Sequence, residues 1–487
     1  MTNLYYRPLQ SLREGHWFKL ICGASYQHLP AIRSLTLAYA LAGADCVDIA
    51  ADPAVIHAAR DALQVAGDLA EVAQSRGFKI QGLPWLMVSL NDGEDPHFRK
   101  ASFNPTHCPS DCPRPCEAIC PAQAIVFNEF NEKNLSEESI KKNEKGLNTK
   151  GFSGVKDSHC YGCGRCLPIC PLGLIETRSQ IFSPAAIAPL VLEGIDAVEI
   201  HTQVGRLSEF QQLWTAILPY LPQLKLIAIS CPDSTESRPE GRLEQHSENP
   251  TNQDDLIDYL WALHDLISPL PCPLIWQTDG RPMSGDIGDG ATRAAVRLGQ
   301  KVLNARLPGY VQLAGGTNRH TVEKLETLGL LRRCFTGEAR LMHPVMNPEW
   351  VSGIAFGSYA RALLSPILDE LDQISLDSGE DSGKDCDASF GSGFGSGFRD
   401  EAAIAPPRLQ LDSQLATFPT HLSKSPSFSV SPSSPQISSP VRLEQVPPLL
   451  WRAVALADSL LSPIKGTSSH PMPLNPMPLQ PVIPKSL

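Results

Sequence analysis

Residues 18–50 read "FKLICGASYQHLPAIRSLTLAYALAGADCVDIA", and this stretch decides the fold class. A short apolar run (18–25) leads into a segment with helical spacing (29–44) that has a glycine near its end, and a second apolar run follows (45–50). Short apolar runs separated by helical segments are typical of buried parallel strands joined by helices. The stretch therefore predicts a strand–helix–strand unit with a right-handed crossover.

The same alternation continues along the chain. A third strand, "PWLMVSL" (84–90), follows another helical segment. After an interruption, five further helical segments lead to "DAVEIHT", "LKLIAISC", "CPLIWQTD", "GYVQLAGG" and "VSGIAFGS". Three strands and then five make eight, the number that closes a (β/α)8 barrel. We predict this α/β fold, with residues 1–98 and 179–371 as its two parts; an open doubly wound sheet is the alternative.

The interruption, residues 99–178, contains two cysteine runs. The second, "CYGCGRCLPICP" (160–171), has the spacing C-x2-C-x2-C-x3-C before a proline, and the first, "CPSDCPRPCEAICP" (108–121), has gaps of three, three and three. Cysteines this close together pair poorly as disulfides, and the sequence shows no secretory signal. A metal centre is favoured. Zinc knuckles are the alternative, but zinc sites separate their C-x2-C pairs by a longer gap.

Two such runs in one segment resemble those of bacterial-type two-cluster ferredoxins. The resemblance implies two iron–sulfur clusters, each held by three cysteines of one run and the fourth cysteine of the other. The implied ligand sets are Cys160, Cys163 and Cys166 with Cys120, and Cys108, Cys112 and Cys116 with Cys170. The first run departs from the family by one extra residue at each of two turns. Its cluster is expected to be [4Fe-4S] or [3Fe-4S], and the sequence does not choose between them.

The cysteine module is inserted after the third strand, between that strand and its following helix. It is therefore expected at the carboxyl ends of the strands, the face on which such folds place their chemistry. Loops after strands seven and eight often bind phosphate there. In this chain those loops contain Gly315, Gly316, Gly357 and Ser358, which are candidate ligands of a flavin or another phosphorylated molecule. The alternative is that the glycines only form turns.

Three other polar residues on this face carry weaker signals. Asp279 and Arg281 begin a long polar loop (279–291) that is expected either to face a ligand or to be solvated. His201 ends the fourth strand, but the sequence identifies no acid or nucleophile beside it. No catalytic residue is predicted.

Composition and charge exclude two classes of function. The formal net charge of −11 and the isoelectric point near 5.6, without a cluster of Lys and Arg, argue against a nucleic-acid partner. No apolar run approaches the roughly 18 residues that a membrane-spanning helix needs. The chain is expected to be cytoplasmic.

The composition changes near the carboxyl terminus. Residues 372–445 are rich in Ser, Pro and Gly, which predicts a disordered linker. The apolar spacing of residues 447–464 predicts one more helix that docks on the barrel, with a partner-binding helix as the alternative. Residues 465–487, rich in Pro and Met, are expected to be disordered.

The order of these features resembles the light-dependent period family of cyanobacteria. The opening stretch, the two cysteine runs, "GIDAVEIHTQVGR" and "LAGGTN" carry the resemblance, which covers residues 1–370 and the final helix. It implies an iron–sulfur redox sensor that adjusts circadian period to light through cellular redox state. Clock-input proteins and kinases are the implied partners, and no substrate is turned over. The alternative is an electron-transfer oxidoreductase with a flavin or phosphorylated ligand on the barrel face.

Overall fold

The computed structural model describes most of the chain. The described residues are 7–95, 98–120, 122–127, 152–179, 184–233, 255–280, 291–331, 349–380 and 441–465. They fall into two compact units, Met1–Leu371 with Arg442–Leu487 and, separately, Asp372–Val441. In the second unit the amide of Val441 donates a hydrogen bond to the Ser375 hydroxyl at 3.1 Å.

Parallel strands close into an eight-stranded barrel, which excludes the open sheet. The barrel strands are β1 (Trp17–Ile21), β2 (Cys46–Ala50), β3 (Trp85–Asn91), β8 (Ala197–His201), β9 (Leu226–Ser230), β10 (Leu274–Asp279), β11 (Tyr310–Ala314) and β12 (Gly353–Phe356). Their order around the barrel is β1-β12-β11-β10-β9-β8-β3-β2, and neighbouring strands are parallel. The predicted apolar runs supply these strands, and the predicted (β/α)8 barrel is confirmed.

Helices surround the barrel. They are α1 (Arg7–Glu14), α2 (Leu29–Ala42), α3 (Pro53–Asp68), α4 (Ala70–Ser75), α7 (Pro184–Val191), α8 (Leu207–Ile217), α9 (Asp255–Ile267), α10 (Arg293–Asn304), α11 (Thr321–Thr327), α12 (Ser358–Glu380) and α13 (Pro447–Leu461), while α5 (Pro115–Ile119) and α6 (Cys166–Ile169) belong to the cysteine module. Gly43 ends α2 in the left-handed conformation at φ 96°, where a side chain would be strained. In the part of the chain that the structure describes, no helix is long and apolar enough to cross a membrane.

The amino-terminal half of the barrel interior is an apolar core. Side chains from α1 and from six strands fill it, and Trp17 and Trp85 meet edge to face with ring centroids 5.9 Å apart. The core residues are Leu12, Trp17, Cys46, Trp85, Met87, Ala197, Leu226, Ala228 and Ile275. At the opposite end, several strands finish in a buried polar residue, among them Asn91, His201 and Asp279.

The cysteine module leaves the barrel after β3 and returns at α7, as predicted. It is made of two similar halves, each a strand, a cysteine loop, a short helix and a second strand. The strands are β4 (Arg99–Ser102), β5 (Ile125–Phe127), β6 (Ser153–Val155) and β7 (Glu176–Ser179). The first strand of each half pairs antiparallel with the last strand of the other, β4 with β7 and β6 with β5. The pairing joins the two halves into one module.

The carboxyl-terminal segment docks on the outer helices of the barrel, as expected. Helix α13 packs along α2, and its Leu449, Leu450 and Leu460 are buried. Trp451 stacks on Phe78 with centroids 6.0 Å apart. The alternative of a free partner-binding helix is not supported by this packing.

The predicted disordered linker, residues 372–445, includes ordered residues at both of its ends. Helix α12 continues to Glu380, and Leu443 is fully buried in a short 3₁₀ turn before α13. Glu444 in the same turn binds the guanidinium of Arg33 through both carboxylate oxygens, at 2.7 and 2.6 Å. Composition alone misses these ends, because a few well-placed residues suffice to fix a terminal turn. Residues 381–440 and 466–487 lie outside the described residues.

Truncation of a buried leucine in α13 tests the docking of this helix. Leu450→Ala is expected to lower the free energy of unfolding by about 2–5 kcal/mol, since Leu450 is 2% exposed and the change leaves a cavity. Leu456→Ala on the same helix is the control, because Leu456 is only half-buried and should lose less. Urea unfolding measures both. Equal losses in the two variants would contradict the docking.

Candidate iron–sulfur site

Eight cysteines line two separate cavities in the module. One cavity is lined by Cys120 together with Cys160, Cys163 and Cys166, which we call the barrel-side set. The other is lined by Cys108, Cys112 and Cys116 together with Cys170, which we call the outer set. Each cavity thus takes three cysteines from one run and the fourth from the other. All eight are free thiols.

The crossing follows from the position of the fourth cysteine in each half. Cys120 directly follows α5, and Cys170 directly follows α6. The amide four residues later donates to the sulfur in both halves, from Ala124 to Cys120 at 3.2 Å and from Leu174 to Cys170 at 3.4 Å. Amide donors of this kind stabilise thiolate charge at a cluster.

Left-handed backbone lets the cysteine loops wind around the cavities. Gly162 and Gly164 have φ 69° and φ 78°, values that favour glycine. In the first run, Arg114 takes φ 51° just before α5, and its guanidinium lies 4.5 Å from the centre of the Phe127 ring. The longer first run is thus accommodated by a non-glycine residue in an uncommon conformation.

Burial makes several of these thiols poor acids on their own, whereas backbone amide donors lower the pKa of Cys170 although burial opposes them. Burial raises the pKa of Cys166 to about 12, and it also raises the pKa of Cys163 and Cys116. Iron bound by these cysteines would replace the thiol protons and would supply the positive charge that buried thiolates need. Among the described residues, no three His, Cys, Asp or Glu side chains are grouped so that they could hold a single metal ion. The donor set and its amide hydrogen bonds fit an iron–sulfur cluster at each cavity.

The module contacts the barrel through the residues around the barrel-side set. The fully buried Lys100 donates to Gln27 Oε1 at 2.9 Å and to the Asp157 carbonyl at 2.6 Å. The backbone amide of Gln27 donates to the Ser158 carbonyl at 3.1 Å. Gln27 lies in the loop after β1, so these bonds tie the segment before Cys160 to the carboxyl end of a barrel strand.

A buried network of charged side chains lies inside the barrel below the module. The ammonium of Lys19 bonds the Glu199 carboxylate and lies 3.7 Å from Asp48 Oδ2. Gln277 Nε2 donates to Glu199 Oε1 at 2.6 Å, and Ser89 Oγ donates to Asp48 at 2.8 Å. Burial alone would lower the pKa of Lys19, but Glu199 and Asp48 outweigh it and raise the pKa. The lysine is therefore a charged, paired group rather than a neutral nucleophile.

His201 links this network to the module. Its Nε2 lies 2.9 Å from Glu199 Oε1, and its Nδ1 lies 3.6 Å from Asp95 in the segment that leads into the module. The ring of Phe98, from the same segment, meets the imidazole edge to face at 5.2 Å. Burial would lower the pKa of His201, but Asp95 and Glu199 raise it to about 9.

Sequence analysis missed the acid partners of His201. Asp95 and Glu199 are far from each other along the chain, and Lys19 is farther still. A charged residue inside a predicted buried strand, such as Lys19 in "FKLI" or Glu199 in "DAVEIH", was the available signal, because such residues are rarely buried without a partner.

The four residues predicted to bind phosphate lie in neighbouring loops after β11 and β12, and Gly316, Gly357 and Ser358 have close protein contacts. Gly315 and Gly316 have φ 68° and φ 83°, and a Cβ on Gly316 would lie 2.4 Å from the Ala291 carbonyl oxygen. The Ser358 hydroxyl accepts a hydrogen bond from Arg361 at 3.1 Å, and Gly357 lies beside the same arginine. These contacts account for the glycines as turn and close-approach residues. Phosphate binding stays a prediction.

Of the two polar residues predicted to begin the loop after the sixth barrel strand, Asp279 belongs to the described residues and Arg281 does not. Asp279 is the last residue of β10 and is buried. Arg281 and the rest of that loop through residue 290 lie outside the described residues.

Together these features define an iron–sulfur protein in which a cysteine module is inserted into a (β/α)8 barrel. The family model of the LdpA Fe-S cluster-binding domain matches residues 108–181, and that of the Light dependent period A C-terminal domain matches residues 190–389. A curated protein of Synechococcus elongatus, "Light dependent period A", is 50% identical over 365 residues, which is 75% of this chain and 85% of that protein. The chain belongs to the light dependent period A family.

Solved structures share only a distant likeness with the chain. The homocysteine methyltransferase of Escherichia coli is 13% identical with a TM-score of 0.33, over 73% of this chain and 98% of that one. The geranylgeranylglyceryl phosphate synthase of Thermoplasma acidophilum is 12% identical with a TM-score of 0.32, over 74% and 92%. Likeness at this level says nothing about function.

The raised pKa of His201 predicts a pH dependence of stability. The pKa rises from 6.5 to about 9 on folding, so the stabilisation is complete below pH 6.5 and is lost as pH rises through 9. The shift corresponds to a loss on the order of 3 kcal/mol. His201→Gln is expected to be less stable at pH 6 but to lack this decline. Melting temperatures between pH 6 and pH 10 measure both proteins, and parallel curves would contradict the assignment.

Proposed function

We propose that this protein is a redox sensor that holds two iron–sulfur clusters and modulates circadian period in response to light. The observation that carries the proposal is the crossed arrangement of eight cysteines around two cavities. The barrel-side set binds one cluster and the outer set binds the other. The cluster of the barrel-side set is of the [4Fe-4S] type, and that of the outer set is either [4Fe-4S] or [3Fe-4S]. Family membership supports the link to circadian period.

A sensor rather than an enzyme is favoured by the chemistry of the barrel interior. Lys19, Glu199 and His201 are buried and paired with one another. Burial raises the pKa of Asp48 beside them to about 6, but Asp48 is only 2% exposed and is therefore closed to a substrate. An enzyme poised for acid–base chemistry keeps a group near neutral pKa and open to its substrate. In this proposal the barrel transmits the state of the clusters to clock-input proteins and kinases.

Crossed ligation is tested by replacing, one at a time, the last two cysteines of the second run. Cys170→Ala should remove the cluster of the outer set and spare the other, although Cys170 is only four residues from Cys166. Cys166→Ala is the matched variant and should do the reverse. Iron content and electron paramagnetic resonance of anaerobically purified protein report which cluster remains. If both variants spare the same cluster, each run binds its own cluster and the crossing is wrong.

The sensor function is tested in cyanobacterial cells in which this chain replaces their own family member. The native chain should support a circadian period that changes with light intensity. The double variant Cys112→Ser, Cys163→Ser should hold the period constant, because each cluster loses a ligand. Cys272→Ser, outside the two runs, is the control, and immunoblots check that all three proteins accumulate equally. A normal light response with the double variant would refute the sensor function.

A further inference from the structure

The two cysteine sets differ in their surroundings. In the barrel-side set, Cys160 and Cys166 are both 8% exposed, and the segment that precedes Cys160 is bonded to the barrel through Lys100 and Gln27. Cys120 and Cys163 of the same set are partly exposed. In the outer set, Cys116 is 6% exposed, whereas Cys108, Cys112 and Cys170 are partly exposed and Leu172 beside them is 54% exposed. The main contrast between the sets is therefore one of position, because the barrel-side set adjoins the barrel.

One aromatic residue connects the barrel-side set with the barrel. Tyr161 follows Cys160 directly and lines the same cavity. Its ring lies against Tyr26 edge to face, with centroids 5.4 Å apart, and the guanidinium of Arg361 lies 4.0 Å from its centre. Gly23, at φ 125°, permits this approach, since a Cβ there would lie 3.3 Å from Tyr26 and 3.5 Å from Tyr161.

The guanidinium of Arg361 donates hydrogen bonds to the end of β1 and to the start of α12. Nη1 donates to the carbonyls of Ile21 and Cys22, at 2.8 and 3.0 Å, where β1 ends. Nη2 donates to the hydroxyl of Ser358 at 3.1 Å, at the start of the helix that follows β12. A single cation thus binds the end of β1, the start of α12 and the aromatic ring beside the barrel-side set. Such a cation is also attracted to negative charge in the adjacent cavity.

We infer that Arg361 is the positioning residue that couples the barrel-side set, and not the outer set, to the loop after β1. The inference rests on the two-cluster function proposed above. Transfer of one electron from a soluble low-potential one-electron carrier to the cluster that the barrel-side set would hold would add one negative charge near Tyr161 and draw Arg361 toward the cavity. The hydrogen bonds to Ile21 and Cys22 weaken, and the loop of residues 22–28 loosens. The reduced state is stabilised in turn, because coupling between charge and loop is reciprocal.

The reduction equilibrium of each cluster is the first readout. Arg361→Gln removes the cation and should make reduction at the barrel-side set less favourable by on the order of tenfold. This is a shift of about 59 mV for a one-electron couple, in the negative direction. The outer cluster should not shift. Potentiometric titration followed by electron paramagnetic resonance measures both centres, each assigned with the Cys166→Ala and Cys170→Ala proteins. Arg60→Gln, which removes an arginine bonded to the Glu193 carbonyl, is the control and should shift neither.

Hydrogen exchange of the loop is the second readout. In the native protein, peptides covering residues 21–28 should exchange faster when the clusters are reduced, including the Gln27 amide that bonds Ser158. Arg361→Lys keeps the charge but loses the planar guanidinium, so its potentials should stay near native while exchange no longer depends on redox state. This variant separates a positioning role from a purely electrostatic one.

The outcomes distinguish the inference from the function on which it rests. A native protein without two cluster signals would overturn the two-cluster function itself. With two signals present, equal exchange of residues 21–28 in both redox states would overturn the coupling. Equal shifts of both clusters in Arg361→Gln would overturn its selectivity for the barrel-side set. A selective shift, together with redox-dependent exchange that is lost in Arg361→Lys, establishes the coupling.

Discussion

All strands of a parallel barrel end on the same face, and this constraint decides what an inserted module can touch. The cysteine module leaves the barrel after β3, at the carboxyl end of that strand. It therefore meets the loop after β1 and the first turn after β12, and these two strands are neighbours in the closed sheet. An insertion at the amino end of a strand would instead meet the apolar floor around Trp17 and Trp85. The point of insertion therefore gives the cysteines access to the polar end of the barrel.

The buried charges below the module belong to the same arrangement. A lysine and a glutamate without water around them are stable only when each is paired and hydrogen-bonded, and Lys19 and Glu199 meet that requirement with help from Asp48 and Gln277. His201 extends the network to Asp95, which belongs to the connection into the module. Charge complementarity thus fixes how the module is seated on the barrel, in addition to the contacts of Lys100.

The sequence was most informative where a pattern is local. Strands of four to seven residues could be predicted because each is a continuous apolar run, and the two cysteine runs could be recognised because their members recur at short spacing. The division of the cysteines into two crossed sets came from the resemblance to two-cluster ferredoxins. Arg361 gave no such signal, since it is an ordinary arginine in a helix until barrel closure brings Tyr161 against it. The partners of His201 were missed for the same reason. Contacts that depend on closure join residues with no shared spacing, and composition could not reveal that Leu443 is buried.

The docking of α13 on α2 also has a consequence during synthesis of the chain. Every residue of α2 from Ala31 to Ala42 is buried, and part of that burial comes from a helix that ends at Leu461. At roughly 5–20 residues per second, the ribosome needs roughly 20 to 80 seconds between these two segments. For that time one of the earliest helices to emerge presents an uncovered apolar face. The nascent barrel thus exposes apolar surface, a risk for aggregation, until α13 arrives.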